Sequence, residues 1–88
     1  MTLSSVRAAR RARLDEMAPA ARVALYGRAL DAWTCELEQR EIGRGATAPQ
    51  ARLNVRERHE AGLREGYPAH VKTERDAFLD RHVTAALA

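Results

Sequence analysis

The sequence predicts an all-α protein, a small bundle of three to four helices organised around a long second helix. Three observations carry this expectation. The 88 residues include 18 alanines and 14 arginines, both strong helix formers. Pro19, Gly43, Gly45, Gly66 and Pro68 fall where they cut the chain into helix-length segments. Val23, Tyr26, Leu30, Trp33 and Leu37 recur at spacings of 3, 4, 3 and 4, the apolar rhythm of a helix packed along one seam.

Residues 1–14 read as a basic N-terminal helix or arm. Ser4 and Ser5 are placed to cap it, and Leu3, Val6, Leu14 and Met17 supply a narrow apolar stripe interrupted by Arg10. Pro19 disfavours helical geometry at Ala18 and suits the first turn of a new helix, so a break is expected at residues 17–19.

The second helix is expected over 19–42. The seam from Val23 to Leu37 is the strongest periodicity in the chain, and Leu25, Ala29 and Ala32 broaden it. Covering only about two heptads, it favours a bundle over a coiled coil. At 1.5 Å per residue such a helix is roughly 35 Å long. A compact chain of this length has a radius of gyration near 12 Å, so the helix would span the whole molecule and an elongated shape is expected.

Ile42-Gly43-Arg44-Gly45 ends that helix, glycine being tolerant of the left-handed geometry of a helix terminus. Thr47-Ala48-Pro49-Gln50 has the form of a capping box with proline in the first turn. It opens a third helix over 47–65, the least amphipathic of the set. Gly66 stops it and Pro68 restarts the chain for a fourth helix over 68–87, with Val71, Phe78, Leu79, Val83 and Leu87 available for packing. Thr73 offers an alternative start for this last helix. The third and fourth helices are expected to pair antiparallel, all four lying in one domain, 1–88.

The core is thin. Apart from the initiator and the alanines there are 20 larger apolar residues, and a chain this short buries only about 60–65 % of its unfolded surface. A second copy or another protein is therefore an expected source of further burial. No apolar run approaches the roughly 20 residues that cross a bilayer, and a single cysteine, Cys35, excludes an internal disulfide. A reducing, cytoplasmic setting is expected. The acid-free opening shares its composition with organelle transit peptides; since it starts at Met1, it is expected to be retained.

Charge is uneven. Residues 1–14 carry four arginines and no acid, residues 15–42 three arginines against six acids, and residues 43–67 five against three. A GC-rich coding sequence enriches alanine and arginine together, which accounts for much of this. The cluster Arg7, Arg10, Arg11 and Arg13 is nevertheless the candidate nucleic-acid contact, acting by phosphate neutralisation. It has no interleaved aromatics and no recognition helix to read sequence.

Catalytic and metal signatures fail on spacing. His59-Glu60 begins like H-E-x-x-H, but Leu63 stands where the second histidine is required. His70 and His82 are three helical turns apart. Gly43-Arg44-Gly45 lacks the remainder of a phosphate loop, and Cys35 has no histidine on its helix to activate it and reads as a half-buried small apolar residue. No enzyme activity, cofactor or metal is expected. The leading expectation is an oligomeric protein-interaction module using Tyr26, Leu30, Trp33 and Leu37 as its contact stripe, with the same residues serving as plain core as the competing interpretation. Binding of nucleic acid through the basic arm is the alternative.

Overall fold

Each predicted segment forms a helix in the computed structural model, which describes residues 3–87. These residues comprise α1 (Leu3–Glu16), α2 (Pro19–Gly43), α3 (Ala48–Glu65) and α4 (Ala69–Leu87), with no strand among them. The terminators act as read. Ala18 is extended at φ −60°, ψ 144° and leaves Pro19 to begin α2. The oxygen Oγ1 of Thr47 accepts from the Gln50 amide at 3.3 Å, satisfying one of the free N–H groups at the start of α3. Gly45 and Gly66 take positive φ, 106° and 82°, a region open to glycine at little cost. The α4 helix begins directly after Pro68, whose carbonyl accepts from Lys72, so Thr73 lies inside it.

α2 is the spine. Both α3 and α4 pack on it, and α1 packs on α4. Pairings between Arg40 and Glu74, Trp33 and Phe78, and Leu25 with Val83 descend α2 as they ascend α4, which makes α4 antiparallel to α2. The main cluster is Leu25, Ala29 and Val83, closed by Leu14, Met17, Leu79 and Leu87. Trp33 extends it upward against Phe78, ring centroids 5.2 Å apart, and Ala51 and Val55 of α3 form the buried contact at the other end of the spine.

Two expectations are corrected here. The first half of the seam, Val23, Tyr26 and Leu30, is not buried. The buried residues of α2 are Leu25, Ala29, Trp33 and Glu41: of the seam only Trp33 is among them, and burial over the first half falls on Leu25 and Ala29, which were expected only to broaden it. Ala29, fully covered, lets α4 approach closely, and the larger Val23, Tyr26 and Leu30 remain outside.

The second correction concerns α3, which does not pair face to face with α4. An 18-residue helix is about 27 Å long. Run back along α2, it would carry Glu65 towards the start of the spine. Yet α4 begins four residues later, at Ala69, and has Glu74 beside Arg40, at the spine's far end. α3 therefore lies across the C-terminal half of α2 like a shelf. The expected elongation is present: the radius of gyration is 15.2 Å and the extents are 41 × 28 × 25 Å.

Candidate functional site

The shelf geometry creates a groove. Below α3 and beside α4, the same side of α2 that carries the predicted stripe is left uncovered, enclosing about 940 Å³. Leu30, Trp33 and Leu37 form its floor. Arg52, Val55 and Arg56 hang from α3 above it, and Tyr67 and Val71 close the α4 side. Towards the start of α2 the floor continues as an open strip in which Val23 is 73 %, Tyr26 42 % and Leu30 45 % exposed. Gly27 lies on the same side, and a Cβ built on it would meet nothing.

The stripe residues thus divide. Tyr26 and Leu30 are surface residues on the strip, and Leu37 is half-buried in the groove. Trp33 is core: it is 6 % exposed, packs on Phe78, and carries the Arg40 guanidinium 5.5 Å from its ring centroid. As a contact residue it is corrected to a structural one.

The wall of the groove is held by two polar joints. Arg40 bonds Glu74 across to α4 and Glu36 within α2. The hydrogen bond to Glu74 foremost, with Glu36 assisting, raises its pKa above the ordinary value against the opposing effect of burial, so the joint stays charged on the arginine side. Glu41 is 8 % exposed, and Arg58 reaches from α3 to pair with its Oε1. No hydrogen bond from any other described residue reaches that oxygen.

A third joint turns the chain from α3 to α4. The Tyr67 ring lies flat on Gly62, so close that a Cβ there would overlap it. The hydroxyl of Tyr67 is 2.7 Å from His59 Nδ1, and Arg75 stands over the ring at 5.0 Å. His59, set aside as half of a failed zinc motif, is thus a partner of Tyr67. His82 stacks against Phe78. Among the described residues no group of His, Cys, Asp and Glu is arranged to hold a metal ion.

The arginines of α1 do not present one surface. Arg10 turns inward, with Nη1 3.3 Å from both Asp80 Oδ1 and Thr84 Oγ1, and its side chain is only 20 % exposed. Arg7, Arg11 and Arg13 are exposed, but the spacing from Arg11 to Arg13 puts them on opposite sides of the helix. Cys35 corrects its expectation too: the thiol is exposed, not half-buried. No described helix is long and apolar enough to cross a membrane.

No protein-family model, curated protein or solved structure matches this chain.

Sequence reasoning found the strip but not the joints around it. Gly62, in mid-helix where glycine costs stability, was the available signal for a close approach. Glu41 gave a weaker one, standing one turn beyond Leu37 on the line of the apolar stripe.

Proposed function

We propose that this protein is a non-enzymatic helical interaction module, of the reducing cytoplasm, that receives another helix on the open side of α2. One observation supports it above the rest: the exposed residues Val23, Tyr26 and Leu30 lead into a groove floored by Leu37 and edged by Asp31, Thr34 and Glu38. Scattered apolar residues are ordinary on a protein surface; a stripe at helical spacing that leads into a concavity is the form taken by helix-in-groove recognition. From Val23 to Leu37 the surface extends about 21 Å, enough for a partner helix of some four turns. The alternative of nucleic-acid binding loses weight because Arg10, the middle of the basic cluster, is engaged with α4.

The test uses a solvent-sensitive fluorophore on a Leu30→Cys, Cys35→Ser variant. Emission in dilute pure protein should report water. It should shift to the blue when a cytosolic extract of the source cell, or a higher concentration of the protein, supplies the docking helix. Emission that stays unchanged under both conditions refutes the reading.

A further inference from the structure

We infer that the helix received on this face is α2 of a second copy, set antiparallel about a two-fold axis near Tyr26, with each α3 clasping the other chain. The inference rests on the docking role proposed above and names its occupant.

The shape of the face selects the arrangement. α3 overhangs the C-terminal half of the strip, so only the half from Val23 to Leu30 lies open to a straight helix. Two chains docked in parallel would bring both shelves to one end. Docked antiparallel, the shelves go to opposite ends and each remains free to cover the other chain. An isologous contact of this kind must be complementary to itself, and the strip is: Tyr26 projects while Gly27 beside it is bare. Setting Tyr26 against the partner's Gly27 places Val23 against the partner's Leu30, and brings the partner's Pro19 level with Thr34.

That register carries the partner's α1–α2 corner up to the underside of the shelf, where arginines and carboxylates left without an ion pair in one chain would meet. Arg52 and Arg56, one turn apart on α3, line the groove and make no ion pair among the described residues. The corner of the same chain carries Asp15 and Glu16, exposed and likewise without an ion pair. The groove is also edged by Asp31 and Glu38, so the match is one of unpaired groups and not of a purely basic shelf with a purely acidic corner: Arg52 and Arg56 meet Asp15 and Glu16 of the other chain, twice per dimer. Stable interfaces bury about 1,200–2,000 Å² in total; the two apolar strips supply the centre of such a contact and the shelf contacts its rim.

Sedimentation equilibrium over about 1–300 μM, the range in which interfaces of modest quality dissociate, should show a mass rising to twice the chain's 9.8 kDa. The double variant Arg52→Glu/Arg56→Glu should weaken the dimer by ~10-fold or more, as expected for lost cross-interface charge pairs. Adding Asp15→Arg and Glu16→Arg to it should restore association. In a Cys35→Ser background, mixed Val23→Cys and Leu30→Cys chains should form the 23–30 disulfide under mild oxidation, whereas Val23→Cys alone should not pair with itself. A constant mass of 9.8 kDa overturns the inference, and a 23–23 disulfide overturns its antiparallel geometry. If the mass stays monomeric while the Leu30 fluorophore is still buried by extract, the dimer fails and the docking role survives. If neither changes, both fail.

Discussion

The phenol ring of Tyr67 rests on the bare Cα of Gly62, and this contact fixes how α3 hands the chain to α4. Alanine favours a helix over glycine by about 1 kcal/mol, so Gly62→Ala would stabilise α3 if space allowed. Here the added methyl displaces the ring and, with it, the contacts to His59 and Arg75. The substitution should therefore destabilise the protein by about 1–3 kcal/mol, the usual cost of overpacking. Adding Tyr67→Ala removes the obstruction, so Gly62→Ala should become neutral or stabilising in that background. Urea denaturation of the four proteins in the cycle measures this.

Arg58 is the counter-ion of a carboxylate that is almost fully covered. Truncating it leaves Glu41 buried without its charge partner, while the arginine itself, more than half exposed, gives up little of its own. Arg58→Ala should cost about 1–3 kcal/mol, the penalty for an orphaned buried polar group. Glu41→Gln should reduce that cost in the Arg58→Ala background, since a neutral amide is cheaper to bury. The same denaturation assay distinguishes the two.

Trp33 and Phe78 join the spine to α4, so Phe78→Ala should lower stability by about 3–5 kcal/mol. Stability of a domain this small is itself only about 5 kcal/mol, and the variant should be largely unfolded. The check is far-ultraviolet circular dichroism, with Trp33 emission shifting to the red as water reaches the ring. Retention of a native spectrum would show that the Trp33–Phe78 contact is not what holds α4 to the spine.

Arg10 is expected to tie α1 to the bundle. Its pair with the exposed Asp80 falls in the class of interactions contributing at most about 1 kcal/mol, so Arg10→Ala should leave global unfolding almost unchanged. Amide exchange in α1 should nevertheless accelerate several-fold, and Arg11→Ala should not accelerate it.

Three helix ends were legible because they carry their own chemistry: Pro19 after an extended Ala18, Thr47 accepting from the Gln50 amide, and Gly66 in positive φ; the start of α1 was not, since Ser4 and Ser5, expected to cap it, lie inside a helix that already includes Leu3. Which side of α2 would be buried was not. Periodicity weighs side chains by bulk and so selected Val23, Tyr26 and Leu30, whereas close packing selected Ala29, whose virtue is its small size. The decision lies with Val83, Leu79 and Leu14 on other helices, and no local pattern in α2 contains it. The course of α3 was hidden for a similar reason. Its direction depends on long-range pairs, Arg58 with Glu41 and Glu74 with Arg40, that spacing within one helix does not reveal. The strip itself was visible because a bulky stripe is visible whether it faces a core or a partner.

The decisive distinction is between a strip used for docking and one needed for folding. Chemical denaturation of Leu30→Ser, at a concentration low enough to keep the protein monomeric, should give a stability within about 0.5 kcal/mol of the unmutated chain, as surface substitutions do. Leu25→Ala, about 140° around the helix, should lose about 2–5 kcal/mol under the same conditions. A loss of that larger size for Leu30→Ser would show that the protomer needs this face for its own core, and the face would then not be free to receive another helix.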